Sequence, residues 1–293
     1  MIQLLLFGVS TALLWSFADI FIARATVTVK PVLAAGIVNI GGALLYALFY
    51  MLTVNDRTTL EISGIIYGLG GGAFIAFASM FFFVALARGP IGISSAISST
   101  YPAGTLPLAV FLFGASIQLP QVLGVAMVAI GVALASGLLS KRDGAKRQKG
   151  ASGPVMALFA AAGWAVGYAL LAESVALIGW RAATLFQMAA VGFIFVVVLI
   201  ARHNSIASSE FGLRSAIRNK WVIGAMLTQL AGGLLLNIGL EYDTSGGSII
   251  VAVSACYPIL TTAYAYFYLH ERVPATSMLG GLLGIIGVVV LSV

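Results

Sequence analysis

Between Ile62 and Ala87 the sequence runs ISGIIYGLGGGAFIAFASMFFFVALA without one Asp, Glu, Lys, Arg or His. At 1.5 Å of rise per residue, about 20 such residues in a helix cross the hydrocarbon of a bilayer, where every backbone N–H and C=O must be satisfied internally. The same ruler finds ten candidate spans: 2–24, 31–53, 62–87, 91–114, 120–140, 152–178, 180–202, 219–240, 244–268 and 275–293. Composition agrees, with 61% hydrophobic and 8% charged residues, where soluble domains carry about a quarter charged. The expected fold class is therefore an all-α membrane protein. The longest polar interruptions are KRDGAKRQKG at 141–150 and the stretch 202–220, so no soluble domain is expected. Cys256 is the sole cysteine, which excludes a disulfide within the chain, and the amino end lacks the charged and small-residue regions of a signal peptide.

Charge orients the spans. Of the 15 lysines and arginines, all but Arg57 and Arg181 fall in the loops after the first, third, fifth, seventh and ninth spans. Cytoplasmic loops hold such an excess, so the odd-numbered loops are expected in the cytoplasm and both termini outside, in a plasma or bacterial inner membrane. The net charge of +6 is spent on orientation, and no nucleic-acid partner is expected. The lipid bilayer is the one partner composition demands.

The basic segment 141–150 divides the spans into two sets of five, and the sets resemble each other. ALLWSFADIFIA from Ala12 lies on AAGWAVGYALLA from Ala161, superposing Trp15 on Trp164 and Asp19 on Tyr168. A slightly longer offset lays SSTYP (98–102) on SACYP (254–258), and carries Gly124 onto Gly280 and Gly131 onto Gly287. An odd number of spans per copy makes the copies enter the membrane from opposite sides, the inverted-repeat architecture of secondary transporters. The expected division is a first repeat over 1–140, a basic cytoplasmic linker over 141–150 and a second repeat over 151–293.

LLWSFADIFIA, ALARGPIGISSAISSTYP and the ending FYLHERVPATSMLGGLLGIIGVVVL resemble the drug/metabolite transporter superfamily in its ten-helix EamA-like form, over essentially the whole chain. The resemblance implies a central cavity lined by spans 1, 3, 4, 6, 8 and 9, with spans 5 and 10 peripheral. Members of this superfamily export amino acids, aromatic ones among them, take up choline, or move nucleobases, sugars and drugs. A Glu-Arg pair of the family matches Glu271 and Arg272, whereas the first repeat has Ala115 and Ser116, which leaves the anchoring of that loop in doubt.

The hydroxyl-rich stretch SSAISSTYPAG at 94–104 interrupts a greasy span. Pro102 has no N–H and its ring crowds the carbonyl of residue 98, so the helix opens one turn earlier, where Ser98 and Ser99 can satisfy freed groups. Pro258 repeats the device over Ser254. Irregular backbone at membrane depth must be covered by protein or line a wet cavity, and paired broken helices point to a binding site; the alternative is a kink that merely permits close packing. Trp15 and Trp164 lie mid-span, away from the interfacial level tryptophan prefers, so a polar partner or a wet chamber must reach them. Tyr101, Tyr168, Tyr257, Phe77 and Phe81 would complete an aromatic lining. Phe81, Phe82 and Phe83 are consecutive and cannot all face one cavity.

Asp19 is the acidic residue well inside a span of the first half. A carboxylate at the bilayer centre costs about 2.5–3.5 kcal/mol, so it is expected to hold a cation or a coupling proton, or else to be hydrated or paired with Arg24. Glu173 is expected to pair with Arg181 at the interface. Asn39, Gln187, Gln229 and Asn237 suit interhelical hydrogen bonds, and Gln229 and Asn237 could also contact a ligand. Gly68, Gly70, Gly71 and Gly72 form a close-approach or hinge region, and Gly280, Gly284 and Gly287 seat the last span on a neighbour or on a second copy; a monomer or weak homodimer is expected. His203 and His270 are the two histidines, and neither an HExxH motif nor a paired-aspartate site exists, so no enzyme activity, metal or cofactor is expected. The reading is a transporter working by alternating access. Trp15, Trp164, Tyr101 and Tyr257 would line its substrate site, with Asp19 reading charge and Ser98 and Ser254 making polar contacts. The substrate is expected to be an amino acid for export, aromatic ones included, or alternatively a choline-like or drug-like cation.

Overall fold

Helix follows helix along the chain because each apolar segment can satisfy its backbone only within itself. The computed structural model describes residues 2–53, 60–114, 119–135, 152–202, 213–242, 248–268, 270 and 275–291, and those residues hold no strand. The helices are α1 (Ile2–Ala25), α2 (Pro31–Thr53), α3 (Ile62–Arg88), α4 (Ile91–Ser98), α5 (Tyr101–Phe113) and α6 (Leu119–Ala135), then α7 (Ser152–Ala201), α8 (Leu213–Ile217), α9 (Lys220–Tyr242), α10 (Ser248–Ser254), α11 (Pro258–Tyr268) and α12 (Ala275–Leu291). Among the described residues, six stretches are long and apolar enough to cross a membrane: Leu6–Ala25, Pro31–Thr53, Ile62–Arg88, Ile91–Phe113, Ser152–Ala201 and Lys220–Tyr242. Bulky apolar side chains such as Leu44, Phe111, Phe193 and Ile200 face outward, as a surface bathed in lipid requires. The basic linker 141–150 and the loop positions Ala115–Ser116 and Glu271–Arg272 lie outside the described residues.

The two expected spans, 152–178 and 180–202, are the two helical limbs of α7, which meet at Gly179, whose non-helical φ of 74° and ψ of 158° an L side chain rarely adopts. The bend folds the limb 180–201 back against α2 and α3, while the limb 152–178 packs along α3. The glycines of α3 make this packing possible. A Cβ on Gly71 would sit 2.9 Å from the Gly167 carbonyl oxygen, one on Gly68 would press on Ser174 and Phe186, and one on Gly72 would run into the Gln187 backbone. These glycines therefore act in close approach between helices. Ser174 Oγ donates to the Gly64 carbonyl across the seam at 2.7 Å, an interhelical bond of the kind worth about 0.6 kcal/mol in a membrane protein.

The last helix is seated in the same way. On α6, a Cβ at Gly131 would lie 2.5 Å from Gly284 N and 2.7 Å from Gly280 O; on α12, a Cβ at Gly287 would lie 2.9 Å from Gly124 O. The Gly280–Gly284–Gly287 face is thus covered by α6 of the same chain, and α6 and α12 form a pair at the periphery. The expected ion pair between Glu173 and Arg181 does not form: the Arg181 guanidinium lies 5.4 Å from the Trp180 ring centre, and its backbone carbonyl accepts a bond from Tyr46. Gly179 separates the two residues and turns the chain between them.

Candidate functional site: an aromatic chamber between two broken helices

The first break is a turn of residues whose ψ falls near zero. Ser99 (φ −71°, ψ −3°) and Thr100 (φ −80°, ψ 1°) connect α4 to α5, and Pro102 supplies no N–H to the Ser98 carbonyl. The hydroxyls of Ser98, Ser99 and Thr100 turn back on the carbonyls of Ser95, Ala96 and Ile97 at 2.9, 2.9 and 2.7 Å. That accounts for much of the hydroxyl-rich composition. The second break spans residues 255–257, between α10 and α11, with Ser254 Oγ donating to the Val251 carbonyl at 2.9 Å.

The breaks reach across to each other. Tyr257 OH meets Ser98 Oγ at 3.0 Å, and Tyr101 OH meets Ser254 Oγ at 3.4 Å. Trp15 stands edge-on to Tyr257 with ring centres 6.0 Å apart, and Trp164 stands likewise to Tyr101 at 6.0 Å. Each contact becomes its partner under the offsets that superpose Trp15 on Trp164 and SSTYP on SACYP. The Gly131–Gly280 and Gly287–Gly124 approaches between α6 and α12 are reciprocal in the same sense.

Asp19 breaks this symmetry. Its carboxylate, 2% exposed, accepts the Ser95 hydroxyl of α4 at 2.5 Å and the Thr261 hydroxyl of α11 at 3.2 Å, both on Oδ2. It therefore ties α1 to the helices on either side of the two breaks. The matching position in the second half is Tyr168, whose ring packs on Tyr101 at 5.0 Å and Trp15 at 6.3 Å; Ser95 is matched by Val251. Arg24 takes no part, since its guanidinium donates to Tyr264 OH at 2.8 and 3.3 Å. Ser16 Oγ adds a bond to the Tyr257 carbonyl at 2.6 Å, pinning α1 to the second break.

These groups enclose a chamber with about 660 Å³ of unfilled space, its open side included. Trp15, Ala18 and Asp19 line it from α1, Tyr101, Trp164, Tyr168 and Tyr257 form aromatic walls, and Gln229 and Gly233 close it from α9. Seven of the twelve side chains picked from the sequence as substrate contacts thus share one cavity. Ser98 and Ser254 stand behind the tyrosines they bond, with Pro102 and Pro258 buried beside them. Asn237 lies outside the lining, donating to Thr184 Oγ1 at 2.7 Å and to Gln187 Oε1 at 3.2 Å.

Phe77 and Phe81 are a correction. Phe77 is 42% exposed and packs at a tilt against Phe81, which packs against Phe159, and none of the three is in the chamber lining. The face of α3 that meets the chamber carries Ile75, Ser79 and Phe82, spaced as one helical stripe; positions 77 and 81 are about half a turn round. Ser79 was the signal available in the sequence, a lone hydroxyl one turn from each of the other two. Asn39 of α2 and Gln187, Met188 and Val191 of the second α7 limb also line the chamber, so it draws on more spans than the resemblance implied. Among the described residues, Asp19 is the one charged side chain of the lining, and no Lys, Arg or His joins it. Among the described residues no group of three His, Cys, Asp or Glu converges in a way that could hold a metal.

The EamA-like transporter family model matches residues 3–137 and again residues 151–293. The chain belongs to the EamA-like transporter family. Its two matched copies fall on either side of the basic segment, and EamA-like proteins are multi-pass membrane transporters of small molecules and not enzymes. A solved structure, titled only as the crystal structure of a protein, aligns with 98% of this chain and 95% of its own at a TM-score of 0.63 and 18% identity; that likeness concerns the fold. No curated protein matches this EamA-like chain.

Proposed function

We propose that the chamber is the substrate site of an alternating-access transporter, built from two five-span halves that face opposite ways across the membrane. The reciprocal contacts between the breaks, and between α6 and α12, support a two-fold relation of the halves, which an odd number of spans converts into opposite orientation. The substrates are small molecules joining an ammonium group to an apolar or aromatic body, with amino acids such as phenylalanine and methionine first among them, exported from the cytoplasm. One observation carries this reading: a single buried carboxylate, Asp19, set among aromatic walls where the two broken helices cross. The carboxylate is also the lining group able to take a coupling proton.

The lining's lack of a basic side chain favours a second reading, in which choline-like or drug-like cations sit against Trp15, Tyr168 and Tyr257 by cation–π attraction. A carboxylate-bearing substrate would have to rely on neutral donors. Arg24, Lys30, Arg88 and Lys220 stand at or just beyond helix ends of one set, and Arg181 at the other, which supports odd-numbered loops in the cytoplasm of a plasma or inner membrane. Proteoliposome flux decides between the substrates. Labelled phenylalanine or methionine moving while choline does not removes the cation reading; choline moving alone removes the amino acid one. Trp15→Ala should abolish flux in protein that still elutes as a folded species, and unchanged flux would reduce the indole to packing.

A further inference from the structure

We propose that Gln229 selects for ligands that bring an N–H donor into the chamber, so that a primary ammonium is preferred over its fully methylated counterpart. The inference rests on the chamber being the substrate site. Among the described residues, Gln229 Oε1 is the one buried side-chain oxygen or nitrogen without a hydrogen-bond partner. A buried carbonyl that has given up water for nothing is rare in a native structure and is kept where something else fills the vacancy.

The other amides of the spans show what the alternative looks like. Asn39 Nδ2 donates to the Ala35 carbonyl at 2.8 Å, and Asn237 bridges Thr184 and Gln187. Asn237 is used in holding helices and Asn39 turns its amide nitrogen back on its own helix; the Gln229 oxygen is buried without a partner on a side chain that lines the chamber. The seam between α1 and α9 sets its level. Gly224 lies under Phe21 and Gly232 under Trp15, so Gln229, between those glycines, stands beside the stretch of α1 that carries Asp19. Two residues with acceptors on adjacent helices, one charged and one neutral, therefore line the same space. A primary ammonium has three N–H bonds, enough to serve both at once. A trimethylammonium group has the same charge and can lie against the aromatic walls, but it leaves the Gln229 oxygen unpaired. Sites built to hydrogen-bond a ligand reject the analogue that lacks the donor far more strongly than a site loses affinity for a missing methylene.

The test uses the full chain in lipid nanodiscs, with phenethylamine and N,N,N-trimethylphenethylammonium as titrants in calorimetry. The wild type should bind the primary amine about 10-fold more tightly, equivalent to about 1.4 kcal/mol. In Gln229→Leu that ratio should fall to within about twofold, while Gln229→Glu should keep it. The melting temperature of Gln229→Leu should hold or rise, since the change removes an unpaired acceptor, and that separates lost selectivity from lost structure. Binding of both probes that Trp15→Ala weakens, with a ratio untouched by Gln229→Leu, overturns this inference and leaves the chamber standing. Failure of phenethylamine to bind the wild type, or binding indifferent to Trp15→Ala, overturns the chamber reading and this inference together.

Discussion

Replacing Asp19 by asparagine separates the two tasks its carboxylate performs. As an acceptor it holds Ser95 and Thr261 through one oxygen, Oδ2; an asparagine oxygen can take both hydroxyls in the same rotamer. As a charge it faces an aromatic chamber with no other ion in its lining. Coulomb attraction to an ammonium about 4 Å away is on the order of 4 kcal/mol at the effective dielectric of about 20 that describes protein sites. After desolvation, a hydrogen bond to a charged group retains about 1.5–3 kcal/mol, so Asp19→Asn should weaken binding of a primary ammonium ligand roughly 10- to 150-fold. Thermal stability should change little. Asp19→Leu should also lower stability, by about 1–3 kcal/mol, because the Ser95 hydroxyl would be stranded. Calorimetric titration of phenethylamine and melting curves of the three proteins in one nanodisc preparation give both readouts. Unaltered affinity in a well-folded Asp19→Asn protein would refute the electrostatic argument and leave the carboxylate as a tie between helices.

Two packing predictions need only thermal unfolding of the purified protein. Gly179→Ala should cost about 1–3 kcal/mol: among the described residues the only atom near a new Cβ is Glu241 Oε1 at 3.8 Å, so the loss would come from the φ of 74°, and a stable variant would show that the bend tolerates another conformation. Gly131→Ala should lose about 1–3 kcal/mol because the three nearest atoms in its way belong to the α12 backbone, whereas Gly42→Ala, with nothing within 4 Å among the described residues, should be neutral or gain up to about 1 kcal/mol; equal melting temperatures would refute the close seating of α6 on α12.

Much of the fold could be read because the bilayer sets a length scale. The bounds of α1, α2, α3 and α9 lie within two residues of those expected from apolar runs, and the hydroxyl-proline stretches mark both breaks. Trp15, Trp164 and the three tyrosines were legible as lining because aromatic and polar groups in mid-span have few other uses. The phase of α3 was not. Lipid and protein core are equally apolar to a phenylalanine, so Phe77, Phe81 and Phe82 look alike in the sequence, although one faces the chamber and the other two face away. The same blindness hid Ile75, Met188 and Val191. Gln187 and Asn237 were visible as polar residues, but only their distances show that they bond each other, while Gln229 bonds nothing.

A cage whose opposite corners are nearly copies would hold a symmetric guest in two equivalent poses. Here one corner is Asp19 with two hydroxyls and its counterpart is Tyr168. In the proposed cycle a guest with a positive end would point it toward Asp19 in every turnover, so the two poses would differ in energy even where the surrounding helices mirror one another. The orientation of the guest would in this sense be written into a single substituted position of a duplicated scaffold.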